Sequence, residues 1–128
     1  MDRKIISTAA ILGMIAIILG AFGAHALKKV LSIDQLATFE TGVKYQMYHA
    51  LFLLLIGILS DITQKTKKKI YYLTLFGVVL FSGSIYLLAT NDLTSIDFKT
   101  IGFVTPIGGL LLILAWGTLL LNYFNKKS

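Results

Sequence analysis

The chain has 128 residues, 56% of them hydrophobic and 14% charged, with no cysteine and a formal net charge of +6. Soluble domains run at roughly 45–50% apolar and about 25% charged; here the apolar excess is gathered into four blocks, which excludes a soluble globular protein, and the missing thiols exclude disulfides, thiolate metal sites and a cysteine nucleophile. The lysines flank the apolar blocks, so anionic lipid headgroups rather than nucleic acid are the natural counter-charge.

The first span is predicted over about residues 5–27, between Asp2-Arg3-Lys4 and Lys28-Lys29. Some 20 helical residues cross a hydrocarbon core of about 30 Å. A basic start, an apolar run and Ala24-His25-Ala26 also resemble a secretory signal peptide. The run is long for that role and three more spans follow, so it is read as a span. Ala9, Gly13, Ala16, Gly20 and Ala24 mostly recur every four residues, the small-residue face of a helix that packs closely on a neighbour in lipid. A seam within one chain is favoured over a contact between copies.

Ser32 followed by Gln35 fits a capping box, and Leu36, Phe39 and Val43 recur at helical spacing. A helix is expected from Ile33, first as a short interfacial segment, then through Gly42, with or without a bend, into the second span over about residues 45–60. Asp61–Lys69, DITQKTKKK, reads as a loop whose four lysines are a solvated topological anchor. The third span is expected over about residues 70–89, the polar connection over Asn91–Thr100 and the fourth span over about residues 101–123. Pro106 either kinks that last helix or is its first residue, capped by Thr105.

With four spans, Arg3, Lys4, Lys65, Lys67, Lys68, Lys69, Lys126 and Lys127 share one side, against Lys28, Lys29, Lys44 and Lys99 on the other. The positive-inside rule then puts both termini in the cytoplasm. No repeat of 20–50 residues suggests a duplicated transporter.

This topology gathers polar residues toward the extracytoplasmic leaflet: His25, Tyr45, His49, Ser84, Tyr86 and Thr105. Thr41, Tyr45, Tyr48, His49 and Phe52 share a stripe on the second helix. A histidine at membrane depth needs an inward face and a partner, with the Ser84 or Tyr86 hydroxyl and the His25 ring as candidates. Gly13, Gly20, Gly23, Gly83, Gly108 and Gly109 are the expected helix-packing positions. The favoured reading is an internal hydrogen-bond network that fixes helix register. Two histidines are thin support for haem ligation, with no C-x-x-C-H motif, and a metal ion wants three or four ligands. No carboxylate sits inside a span to carry protons for transport. Neither a G-x-S-x-G elbow nor H-E-x-x-H marks a hydrolase.

Four blocks in this order, GAFGAHALKK at Gly20–Lys29, FETGVKYQMYHAL at Phe39–Leu51, FSGSIYLL at Phe81–Leu88 and TPIGGL at Thr105–Leu110, resemble the domain-of-unknown-function 423 family. That family is also called uncharacterised protein family 0382 and is similar to the transmembrane protein 256 group. The resemblance implies a small, multi-spanning plasma-membrane protein of bacterial type with no catalytic residues to transfer. It supports keeping the first segment as a span.

The resulting expectation is an all-α integral membrane protein, one domain over residues 1–128, with four transmembrane helices in a bundle. It is expected to be a structural or accessory membrane component rather than an enzyme, with no cofactor and no metal. Membrane lipids, a second copy or a larger membrane complex are its expected partners. The alternative is a lipid- or small-ligand-binding bundle, or an oligomeric transporter, that uses the His/Tyr/Ser layer.

Overall fold

The computed structural model describes residues 1–93 and 101–125. Four helices follow one another: α1 (Asp2–His25), α2 (Ile33–Ile58), α3 (Gln64–Ala89) and α4 (Val104–Phe124), with 3-10 turns at Leu27–Lys29 and Asn91–Leu93 and no strand among the described residues. α1 packs on α2, α2 on α3 and α3 on α4. The expected connection from Thr94 to Thr100, with Lys99, and the basic residues Lys126 and Lys127 lie outside the described residues.

Among the described residues, three helical segments are long and apolar enough to cross a membrane: α1 with the turn that follows it, α3 and α4. Even the 21 residues of α4 cover about 32 Å at 1.5 Å per residue, against a hydrocarbon core of about 30 Å. α2 has 26 residues but carries Lys44, Tyr45, Gln46, Tyr48 and His49 through its middle and is not one of those three. The outer surface agrees with a lipid solvent. Ile11, Met14, Ile17 and Ile18 of α1 and Leu110, Ile113, Leu120 and Leu121 of α4 are all exposed, a continuous apolar coat that soluble monomers do not carry.

α2 starts where its sequence says it should. Ser32 Oγ accepts from the Gln35 amide at 3.1 Å and Gln35 Oε1 accepts from the Ser32 amide at 2.9 Å, which closes the capping box. The helix runs unbroken through Gly42. That glycine marks a close approach: a Cβ there would sit 2.7 Å from the Tyr86 ring.

The lysine-rich segment departs from expectation. Helix α3 begins at Gln64, and Thr63 Oγ1 caps it by accepting from the Thr66 amide at 3.2 Å. Lysine is a good helix former, so a threonine cap followed by KTKKK extends the third helix by about two turns instead of forming a loop. Lys65, Lys68 and Lys69 are exposed, but Lys67 is 1% exposed. Its ammonium lies 3.1 Å from Asp2 Oδ1 and 3.3 Å from the Gly57 carbonyl. A cation at the C-terminal end of α2 suits the helix dipole and takes up a carbonyl that helix geometry leaves open. Gln64 Nε2 donates to the same Asp2 oxygen at 3.0 Å, so the starts of α1 and α3 and the end of α2 meet at one place. Tyr123, near the end of α4, donates to Asp61 at 2.6 Å, which puts the close of the chain's last helix at the same end of the bundle.

α4 also starts differently from either expected form. Its first residue is Val104, its N-cap is Phe103 with no side-chain hydrogen bond, and Pro106 is the third helical residue. A proline in the first turn removes an amide that would have had no intrahelical partner, so the helix neither kinks there nor needs Thr105 as a cap.

The tightest crossing joins α3 to α4 at Gly108. A Cβ on Gly108 would lie 2.8 Å from the Leu80 carbonyl carbon and from Phe81 Cα, and nearer still to the Phe81 nitrogen. Backbone cannot swing aside as a side-chain tip can. Gly23 meets the Phe39 ring at 3.1 Å, and Gly13, Gly20 and Gly109 sit in ordinary contact at 3.5–3.8 Å. Gly83 has nothing within 4 Å, and the close glycine Gly57, against Ile6, is one the small-residue pattern had not singled out. On α1, Ala9 and Ala16 are buried and Gly13 and Gly20 approach Ala50 and Val43 of α2, so the small-residue face is a seam inside the chain.

Gly108→Ala is expected to lower the unfolding free energy by about 1–3 kcal/mol, the scale of overpacking. Gly109→Ala, which adds a methyl in ordinary contact and gains up to about 1 kcal/mol of helix propensity, is expected to be neutral or stabilising. Thermal unfolding of both variants in the same detergent checks the contrast, and equal effects would contradict the crossing geometry.

Candidate functional site

The inward face of α2 is set by the residues it buries: Phe39, Gly42, Gln46, His49, Leu53 and Ile56, spaced by three or four. The expected stripe of Thr41, Tyr45, Tyr48, His49 and Phe52 is rotated from it by about one residue. His49 and Phe52 are buried, whereas Tyr45 is 41% and Tyr48 53% exposed. Tyrosines carry an apolar ring and a polar tip that tolerate the bundle edge, so they pulled the sequence-based face outward. Gln46, 4% exposed, is the inward polar residue that reading passed over. The regular spacing from Phe39 through Gly42, Gln46 and His49 to Leu53 was the signal that could have found it.

His49 is 5% exposed. Its Nδ1 lies 2.7 Å from the Tyr45 carbonyl, one turn back, and its Nε2 lies 3.1 Å from the Trp116 indole nitrogen of α4. A carbonyl has no proton to give and an indole N–H cannot accept, so the neutral imidazole donates from Nδ1 and accepts at Nε2. Both ring nitrogens are thereby engaged. The Phe52 and Trp116 rings lie tilted by 35° at 4.1 Å between centroids, and the imidazole stands edge-on to each, at 6.1 and 6.2 Å. The expected partners Ser84, Tyr86 and His25 are not those of His49. Trp116 of α4 is its partner instead.

The other polar residues fall into two further sets. Tyr86 donates to Gln46 Oε1 at 2.7 Å, and Gln46 Nε2 donates to the Leu12 carbonyl of α1 at 2.8 Å, a chain across three helices. Beside it, Ser82 Oγ donates to the Gly42 carbonyl at 2.7 Å. Ser84 Oγ donates to the Phe81 carbonyl at 2.9 Å and is bonded to Thr105 Oγ1. With the serine proton committed to Phe81, Thr105 is the donor of that pair. His25 is exposed at the end of α1 with no hydrogen bond to any of these, among the described residues.

Polar contacts are not confined to that stratum. At the other end, Thr8 and Tyr71 share a hydrogen bond of 2.9 Å, and Lys4 donates to the Tyr72 hydroxyl at 3.2 Å while lying 5.6 Å over the Tyr71 ring. Two buried side-chain atoms lack a partner among the described residues, Thr74 Oγ1 and Asn122 Nδ2. No group of three or more histidine or carboxylate side chains is placed to hold a metal ion, among the described residues. An open groove of about 310 Å³ runs along α4 beside His49, lined by Tyr45, Phe81, Leu112, Ile113 and Trp116.

The comparisons with known proteins agree on kinship. The model of a protein family of unknown function, DUF423, matches residues 19–109. A UPF0382 membrane protein of Staphylococcus saprophyticus is 45% identical over 112 residues, covering 88% of this chain and 89% of its own length. The UPF0382 inner membrane protein YgdD of Escherichia coli is 35% identical over 129 residues, covering 98% of this chain and 93% of its own. A UPF0382 membrane protein of Haemophilus influenzae is 34% identical over 128 residues, covering 100% and 99%. No solved structure matches the chain. With this coverage and identity, the chain belongs to the DUF423 family of bacterial membrane proteins, the UPF0382 proteins, whose activity is unknown.

Proposed function

We propose that the protein is a non-enzymatic structural or accessory component of the bacterial plasma membrane, a one-domain bundle of four spans whose polar groups act as fasteners between helices. The observation that carries this reading is the engagement of His49. A general base or metal ligand needs a free lone pair, and here the Nε2 lone pair accepts from Trp116 while Nδ1 gives its proton to a backbone carbonyl. Ser84, the nearest thing to a nucleophile, is bonded to Phe81 and Thr105 and has no base beside it among the described residues. Side chains so employed hold register.

Interhelical hydrogen bonds in membranes contribute about 0.6 kcal/mol on average. The cost of removing one rises when a polar group is left unpaired in apolar surroundings. His49→Phe strands the Trp116 N–H and is expected to cost about 1–2 kcal/mol, whereas His49→Phe with Trp116→Phe recovers part of that loss. A double-mutant cycle on thermal unfolding in detergent reads the coupling. Zero coupling, or wild-type stability of His49→Phe together with loss of a separable activity, would overturn the fastener reading.

For topology, the reading takes α2 as the second span, its first turns from Ile33 lying at the interface, and both termini in the cytoplasm. The support is the shared end of the bundle, where Asp2 meets Lys67 and Tyr123 meets Asp61, together with the surplus of basic residues on that side. Reporter fusions at residues 1 and 128 are expected to read cytoplasmic and an insertion beside Val30 to read external. Termini on opposite sides would mean three spans and would remove the proposed layer.

A further inference from the structure

We infer that the end of the bundle carrying the α3 lysines holds a site for an anionic phospholipid, with its phosphate at Lys65 and Lys69 and one acyl chain along the α3–α4 groove. A crevice of about 290 Å³ opens there, lined by Lys65, Thr66, Lys69, Thr118, Leu121 and Asn122. Its polar groups offer donors. Neither lysine has an ion-pair partner among the described residues, where the one ion pair is Lys67 with Asp2. Thr66 Oγ1 accepts from Thr63 Oγ1 and keeps its own proton to give. Asn122 Nδ2 is buried without an acceptor among the described residues. The carboxylates of this end are engaged elsewhere, Asp2 by Lys67 and Gln64 and Asp61 by the Tyr123 hydroxyl, and neither lines the crevice. The first turn of α3 adds the positive end of a helix dipole. These groups want a ligand rich in acceptor oxygens and negatively charged.

What makes that ligand a lipid is continuity. Lys69, Thr118 and Leu121 also border a second groove of about 410 Å³, which continues between α3 and α4 over Leu73, Ile113 and Gly117. A Cβ on Gly117 would meet nothing within 4 Å, so the groove has an open floor at that point. A charged mouth at the end of two membrane-crossing helices leads into an apolar channel along them, which is the shape of a headgroup followed by its acyl chain. The inference needs α3 and α4 to cross the membrane and does not depend on the four-span count or on the fastener reading of His49.

The test titrates the detergent-purified full chain with phosphatidylglycerol, with phosphatidylcholine of the same acyl chains and with inorganic phosphate, reading the concentration that raises the thermal midpoint. Phosphatidylglycerol is expected to act at a concentration about tenfold below phosphatidylcholine, from two lysines near the headgroup plane, and inorganic phosphate to leave the midpoint unchanged. The double variant Lys65→Gln, Lys69→Gln removes two exposed charges that have no ion-pair partner among the described residues, and is expected to fold normally and lose the preference. Gly117→Leu fills open space and is expected to fold normally and weaken both lipids. Equal action of the two lipids on the wild type, a retained preference in the double variant, or a shift by inorganic phosphate matching that of phosphatidylglycerol would each overturn the site.

Discussion

Helices in lipid gain nothing from hiding apolar side chains from one another, because the acyl chains are as apolar as leucine. The bundle must therefore be held by contacts lipid cannot imitate, and the clearest is the backbone crossing at Gly108. There α4 lies against the Leu80–Phe81 peptide so closely that a single methyl has no room. Close approach brings dispersion from both backbones into play at once. The same crossing sets the register in which Ser84 of α3 reaches Thr105 of α4. Much of α4 is otherwise exposed, with Gly108, Leu112 and Ala115 as its buried residues, so a small set of positions fixes a whole helix.

The second consequence of a lipid solvent is that polar groups must be satisfied from within. Gln46 shows how completely this is done: its amide accepts from α3 and donates to a backbone carbonyl of α1. Ser82 donates to a carbonyl of α2, and His49 to a carbonyl one turn back in its own helix. Three of these bonds end on backbone oxygens already inside helices, as second acceptances by carbonyls with two lone pairs. Those of Gln46 and Ser82 tie one helix to the path of another rather than to a mobile side chain.

Much of this was legible in the sequence, and what was not has a physical reason. The helical class, the start of α2 at Ser32 and the small-residue seam of α1 rest on local rules, capping and periodicity, that act within a few residues. The partner of His49 rests on a contact 67 residues away and that of Gln46 on one 34 residues away, and no local pattern encodes either. Tyr45 and Tyr48 misled because ring size mimics burial. The lysine run misled because charge was read as loop, when a threonine cap and good helix formers were enough to start α3 at Gln64. Lys67 in particular was hidden, since its burial depends on Asp2 and Gly57 arriving from two other helices.

The lysine end of the bundle divides its charge between two uses. Toward the middle, Gln46, His49, Ser82 and Ser84 are hydrogen-bonded to partners within the bundle. At the lysine end the inner member, Lys67, is matched and buried, while Lys65 and Lys69 on the outer faces of the same helix are exposed and have no ion-pair partner among the described residues. A helix that turns one lysine inward as a structural cation and leaves its neighbours at an open crevice divides its charge between holding the fold and meeting the membrane. Burying a cation is costly unless it is paired, and Asp2 is there to pair it. The exposed lysines avoid that cost by staying at the surface, where anionic headgroups can serve as their partners. On the accessory reading, this basic rim is where the bundle is attached to its own bilayer, and the exposed apolar faces of α1 and α4 are what it offers to lipid or to another membrane protein.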